Sequence, residues 1–239
     1  MIYAIISDIH ANLEALEVCL KEIDKIKPDR LICLGDLVDY CAQPNEVVEK
    51  VKSSCDVVIL GNHDEAQFNH SLADGFSDNA YISSLHTREV IKPEFIEYFK
   101  TLPYTHSEND LLFVHGSPNL PEEYDYVLDT YDAEINFACF KERICFIGHS
   151  HLPVIFEERE GRINISSPVN LNKEFKYIIN IGSVGQPRDR NPKLSFGIYD
   201  TDKLEFSLIR LDYDVKSASE KIINEGLPEF LAQRLYFGI

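Results

Sequence analysis

The segment IYAIISDIHANLEALEVCLKEIDKIKP, residues 2–28, carries a strand, a loop and a helix in one pass. Ile2 to Ile6 is an unbroken apolar run, which suits a short strand covered on both faces. Asn12 has the side chain of a helix cap, and Leu13, Leu16, Leu20 and Ile23 recur on one helical face until Pro28 stops them. The rhythm then repeats: Leu31 to Leu34 reads as a second buried strand, Pro44 to Val51 as a helix opened by proline, and Val57 to Leu60 as a third strand. This βαβαβ order predicts parallel strands with right-handed crossovers and a ligand crevice beyond their carboxyl ends.

Further along, 65–110 reads as mainly helical, with Tyr81 to Ile91 and Pro93 to Lys100 its clearest segments. Leu111 to Val114 and Ile144 to Ile147 resume the strand pattern on either side of a helix near Ala133 to Phe140. Shorter alternating runs follow at Val154 to Glu157, Ile163 to Ser166, Tyr177 to Ile181, Phe196 to Tyr199 and Leu204 to Arg210, with turns at Gly161-Arg162 and Asp200-Thr201-Asp202. These predict a second, more antiparallel sheet, and Asp214 to Glu225 and Pro228 to Tyr236 read as closing helices. No repeat or Pro/Gly/Ser linker divides the chain. The expectation is an α/β fold, a two-sheet αββα sandwich of mixed strands flanked by helices, forming one domain over 1–239 in which 65–110 shapes substrate access.

The 239 residues carry 23 basic and 40 acidic side chains, a formal charge of −17. Such a chain repels phosphate backbones and attracts divalent cations, so nucleic acid is an unlikely partner. The apolar opening is too short for a membrane span and lacks the basic start of a signal peptide, and the reading is cytoplasmic with no membrane association. Six cysteines without a C-x-x-C pair, two of them inside strand-like runs, are expected to be reduced.

The chemistry gathers at the strand ends. Asp8-Ile9-His10 follows the first strand, Gly35-Asp36-Leu37-Val38-Asp39 the second, and Gly61-Asn62-His63-Asp64 the third. His115-Gly116 and Gly148-His149-Ser150-His151 follow two later strands. Taken singly, each histidine is better read as a half-buried structural residue, and the first aspartate as a helix cap. Taken together, five of the eight histidines sit in five blocks, each directly after an apolar strand. Carboxylate, imidazole and carboxamide oxygen at adjacent strand ends suit divalent Mn, Fe, Co, Ni or Zn. Asp39 alone reads as a helix cap or as support for a ligand. His70, His86 and His106 lack ligand spacing and read as structural.

In that order the blocks resemble the calcineurin-like metallophosphoesterase superfamily. Asp8 to Leu16 and Gly182-Ser183-Val184-Gly185-Gln186-Pro187-Arg188 are similar to its compact prokaryotic branch, related to diadenosine tetraphosphatases and protein phosphatases. The departures are Cys41 and Ile181, where that branch often has glycine and proline, and Asp39-Tyr40-Cys41 in place of Asp-Arg-Gly. The resemblance implies two metal ions, manganese favoured, one held by Asp8, His10, Asp36 and His151 and the other by Asp36, Asn62, His115 and His149. Asp36 would bridge them, which limits the repulsion between neighbouring cations.

It further implies hydrolysis of a phosphoester or phosphoanhydride, with His63 donating a proton to the leaving oxygen and Asp64 orienting it. Asn62, His63 and Arg188 would contact substrate; the competing reading of Arg188 is a turn residue paired with Asp189. The expected substrate is a small phosphorylated molecule, a nucleotide such as a dinucleoside polyphosphate. The alternatives are a phosphoprotein phosphatase, a broad phosphodiesterase, and a non-enzymatic scaffold like the retromer subunit that shares the fold with a degraded metal site. Tyr124, Tyr126 and Tyr131 read as packing rather than a stacking platform.

Overall fold

The computed structural model describes residues 1–167 and 169–239. In chain order the elements are β1 (Ile2–Ile6), α1 (Leu13–Ile26), β2 (Arg30–Cys33), α2 (Pro44–Ser54), β3 (Val57–Val58), α3 (Asn62–Glu65), α4 (Asp78–Val90), α5 (Pro93–Phe99), β4 (Thr105–Glu108) and β5 (Leu111–Val114). They continue with α6 (Thr130–Phe137), β6 (Ile144–Ile147), β7 (Val154–Arg159), β8 (Arg162–Ser166), β9 (Lys176–Asn180), β10 (Leu194–Asp200), β11 (Glu205–Leu211), α7 (Val215–Asn224) and α8 (Glu229–Phe237). Two mixed sheets result, ordered β11-β10-β1-β2-β3 and β4-β5-β6-β9-β7-β8.

The period of two along each strand builds the layers. Tyr3 and Ile5 of β1 join Phe113, Phe146, Ile179 and Tyr199 in the core between the sheets. Ala4 and Ile6 turn the other way, onto Ala15, Leu16 and Cys19 of α1. On β5, Phe113 faces inward while Leu112 and Val114 meet Ala133 and Phe137 of α6. Both faces of these strands are covered, which is why they read as continuous apolar runs. Asn12 caps α1 by accepting from the Ala15 amide at 3.1 Å, and Lys27 ends it in a left-handed conformation just before Pro28.

Several expectations need correction. The 65–110 stretch is not helical to its end: Thr105–Glu108 is the edge strand β4, paired with β5. The hairpin after β7 turns at Glu160-Gly161, since Arg159 already pairs with Arg162. The later strands do not form one antiparallel sheet. β6 pairs in parallel with β9, whereas β10 and β11 return to the first sheet, β10 lying antiparallel beside β1. All six cysteines are free thiols. No helix among the described residues is long and apolar enough to cross a membrane.

Candidate metal centre

The loops leaving β1, β2, β3, β5, β6 and β9 meet at one end of the sandwich. The first two are laced by backbone hydrogen bonds, from Asp8 N to Gly35 O at 3.0 Å and from Ala11 N to Leu37 O at 2.8 Å, and Gly185 N from the loop after β9 donates to Asp8 O at 2.9 Å. The crowding leaves no room for side chains at certain points. A Cβ on Gly61 would stand 2.2 Å from Asp36 Oδ1, and one on Gly148 would stand 2.5 Å from Asp8 Oδ2.

Local conformation is unusual where the ligand-type residues lie. Asp8 (φ 54°), His10 (49°), Asp36 (55°), His149 (64°) and His151 (59°) are all left-handed. Aspartate and histidine tolerate this region better than most residues, yet a run of them marks a site whose geometry the rest of the fold imposes.

Two clusters form, each with its ligand atoms within 4.8 Å of one another: Asp8, His10, Asp36 and His151, and Asp36, His115 and His149. Asn62 Oδ1 lies 3.1 Å from His115 Nε2, at the second cluster. All seven are buried. The imidazole hydrogen bonds explain what these clusters can hold. His10 Nδ1 donates to Val38 O at 2.9 Å and His151 Nδ1 donates to Gln186 O at 2.6 Å. In each neutral ring the Nε2 is then a lone pair, and these two lone pairs face each other at 3.1 Å. Burial holds both histidines well below their ordinary pKa, which keeps them neutral. Two lone pairs at that separation are compatible only with a shared electrophile, and a divalent cation is one. His115 Nδ1 likewise donates to Leu34 O at 2.8 Å, turning its Nε2 toward His149 Nδ1 at 3.2 Å.

Asp36 lies between the clusters. Its Oδ1 accepts from the His63 amide at 2.9 Å. Its buried Oδ2 accepts no hydrogen bond, although it is 3.6 Å from His10 Nε2 and 3.3 Å from His115 Nε2. Burial favours the neutral carboxyl, but His115, His63 and His10 outweigh it and hold Asp36 well below the usual carboxylate range. Burial also disfavours the His115 imidazolium, yet Asp36 raises its pKa to about 9, so a cation there competes with a proton. The orphaned Oδ2, the opposed lone pairs and the mixed N/O donor set fit two divalent ions that share Asp36.

His63 lies at the edge of this centre, its ring 5.0 Å from that of His10. The partner of its Nδ1 is Asp39 Oδ2, at 2.7 Å, and not Asp64 as the sequence reading had it. Asp64 faces away from the ring because it closes the turn into α3, accepting from Leu37 N at 2.8 Å and Gly61 N at 3.3 Å. Burial and neighbouring Asp36 push Asp64 up to about 8. Burial disfavours the His63 imidazolium, but Asp36 and Asp39 outweigh it and raise its pKa. The signal for Asp39 was its place three residues after Asp36 in the same loop.

Arg188 does not pair with Asp189, which is taken by Arg210. Its Nη2 donates to Gln186 Oε1 at 3.0 Å, and it lies near enough to His63 and His151 to disfavour their protonation. Sequence reasoning missed the contacts of three further residues. Tyr40 packs its ring against His10 at 4.5 Å and His63 at 4.7 Å. Tyr126 stacks on His149 at 4.1 Å while 48% exposed, so it is not simple packing. Glu65 accepts from the Tyr104 and Tyr124 hydroxyls at 3.1 and 2.7 Å, bracing the end of α3. His106 and His86 lie outside both clusters, facing Glu108 and Glu225 at 3.1 and 3.7 Å, and His70 belongs to neither cluster.

Residues 1–204 match the model of the calcineurin-like phosphoesterase superfamily domain. An uncharacterised protein of Methanocaldococcus jannaschii is 38% identical over 240 residues, covering 98% of this chain and 97% of that protein. The crystal structure of a metallophosphoesterase from Sphaerobacter thermophilus superposes with a TM-score of 0.88 at 34% identity, covering 100% of this chain and 99% of the other. A hypothetical protein from Pyrococcus horikoshii shares the fold at a TM-score of 0.81 and 22% identity, over 100% and 98% of the two chains.

Proposed function

The chain belongs to the calcineurin-like phosphoesterase superfamily, and from that membership we propose that it hydrolyses phosphoester or phosphoanhydride bonds with two divalent cations, on a small nucleotide such as a dinucleoside polyphosphate. The observation that carries the reading is the opposed pair of imidazole lone pairs, His10 Nε2 and His151 Nε2 at 3.1 Å, beside a carboxylate oxygen of Asp36 that accepts no hydrogen bond.

Asp8, His10, Asp36 and His151 would hold one cation, and Asp36, Asn62, His115 and His149 the other; manganese is favoured, with iron, cobalt, nickel and zinc compatible with the same donors. When bound, such a pair supplies Lewis acidity toward phosphate and a hydroxide nucleophile at neutral pH. The remaining work belongs to the chain. His63, protonated and oriented by Asp39, donates a proton from Nε2 to the leaving oxygen. Asn62, His63 and Arg188 contact the substrate, Arg188 through the fork of its guanidinium. The 65–110 segment brings Phe76 to 4.5 Å from the His63 ring and is where the leaving group is selected.

The test uses metal-stripped protein reloaded with Mn²⁺, assayed on bis-p-nitrophenyl and p-nitrophenyl phosphate beside the His63→Ala variant. Metal-dependent turnover that falls by on the order of 10²–10⁴-fold in the variant supports the reading. The preferred ester separates diesterase from monoesterase, and with it the phosphoprotein phosphatase alternative. No turnover of these esters, of dinucleoside polyphosphates or of phosphopeptides by fully metallated protein would sink it.

A further inference from the structure

We propose that Arg188 and Arg234 form a second phosphate subsite beside the metal centre, so that the substrate carries two phosphates, one held by the metals and one by this pair. The inference rests on the phosphoesterase reading and deepens it. Arg234 comes from α8, beyond the residues 1–204 that match the family domain.

Tyr40 joins the two guanidinium groups to the centre. Its ring packs 4.5 Å from His10 on one side, while Arg188 Cζ lies 5.6 Å and Arg234 Cζ 6.0 Å from its centroid. Arg188 also stands beside the hydroxyls of Tyr40 and Tyr126, opposing the rise in their pKa that burial causes. Carboxylates hold Arg30, Arg143 and Arg210. Among the described residues neither Arg188 nor Arg234 pairs with an aspartate or glutamate. Arg188 donates to Gln186 Oε1 and Arg234 Nε to the main-chain oxygen of Ile239.

Both guanidinium groups lie against the same ring, that of Tyr40. Burial and neighbouring Arg188 bring the Arg234 pKa down to about 10. Two further donors accompany them: Arg188 Nε and Gln186 Nε2 are buried with no hydrogen-bond partner, and Gln186 is only 1% exposed. Unpartnered buried donors on a positive pair call for an acceptor-rich anion, and the planar guanidinium fork matches phosphate oxygens. Gln186 ties this subsite to the metals, since its main-chain oxygen holds His151 and its side chain holds Arg188. The substrate this implies carries two phosphates linked through an anhydride or a short ester, one on the metal side of Tyr40 and one on the guanidinium side.

The test compares AMP with α,β-methylene-ADP, which share base and sugar and differ by one methylene-linked phosphonate group standing in for the second phosphate. Each is titrated calorimetrically into Mn²⁺-loaded protein at fixed free Mn²⁺. The expected result is tighter binding of the diphosphate by tenfold or more, with that advantage cut to threefold or less in Arg234→Gln and in Arg188→Gln, and partly restored in Arg234→Lys. An equal preference in the unaltered protein and in both glutamine variants overturns the proposal, as does no preference in the unaltered protein. Binding is read without turnover. An Arg234-dependent diphosphate preference in a protein that hydrolyses no ester would therefore leave the subsite standing while the hydrolase reading fails, and turnover without the preference would do the reverse.

Discussion

Asp39 and Asp64 are both fully buried near His63, and only the direction each carboxylate faces separates their roles. Asp39 accepts from the His63 ring and from Gln67 Nε2 at 3.1 Å, whereas Asp64 spends its oxygens on backbone amides. Asp39 therefore fixes the tautomer and helps to raise the His63 pKa, while Asp64 shapes the turn. A proton donor must be protonated to act, so activity falls as pH rises through the His63 pKa. In Asp39→Asn that falling limb of kcat/KM moves to lower pH and the rate drops by on the order of 10–100-fold, with both metals retained. Asp64→Asn leaves the limb in place; a shift there instead would return the orienting role to Asp64. Gly148 offers a steric test, because its missing Cβ would lie 2.1 Å from Ser7 Oγ and 2.5 Å from Asp8 Oδ2. Gly148→Ala should destabilise by about 1–3 kcal/mol and displace Asp8, lowering bound metal measured by plasma emission spectrometry. Full metal content would show that Asp8 can yield without losing its role.

At the scale of elements, legibility followed burial. β1, β5 and β6 have the bounds read from sequence, Ile2–Ile6, Leu111–Val114 and Ile144–Ile147, because strands covered on both faces are written as apolar runs. β4 was invisible for the opposite reason: Thr-His-Ser-Glu is polar, lies at a sheet edge, and becomes a strand only by pairing with β5. Placing β10 beside β1, with Ile198 opposite Ala4, is a pairing across most of the chain that no local pattern records. The candidate ligand residues were legible because each follows an apolar run; which aspartate meets His63 depends on how two loops pack, and was not. β4 also brings a testable contact. Glu108 meets Arg30 of β2 at 3.2 Å and His106 at 3.1 Å, joining the edge strand β4 of one sheet to β2 of the other. Burial pushes the Glu108 pKa up, but His106 and Arg30 outweigh it and lower it below its ordinary 4.5. Its contribution is thus present above 4.5 and lost as pH falls through the depressed folded value. The pair is partly exposed, so Glu108→Gln should cost no more than about 1 kcal/mol, roughly 2–4 °C in Tm at pH 7. The gap between the two proteins should close as pH falls through the depressed folded value; a gap that stays constant into acid would assign the loss to packing.

Across the whole molecule, each metal cluster draws on both sheets. Asp8, His10, Asp36 and Asn62 follow strands of the first sheet, and His115, His149 and His151 follow strands of the second. The first cluster joins Asp8, His10 and Asp36 to His151, and the second joins Asp36 to His115 and His149, so bound cations would cross-link the sandwich at its loop end. The same end concentrates what is costly in the fold: buried carboxylates at Asp8 and Asp36, and five candidate ligand residues held left-handed. A ligand that binds only the folded chain stabilises it by RT ln(1 + [L]/Kd), about 2.7 kcal/mol at a hundredfold excess over Kd. For a chain of this size that is on the order of 5–10 °C. The Tm of stripped protein should therefore climb with added Mn²⁺ by this order. Hydrogen exchange should slow at residues 7–12, 35–41 and 148–151 with little change in β8, a strand at the sheet edge far from the loops in pairing order. A Tm independent of metal, with exchange slowed nowhere, would mean that the lone pairs of His10 and His151 face each other for some reason other than a cation, and the case for the metal centre would fall with it.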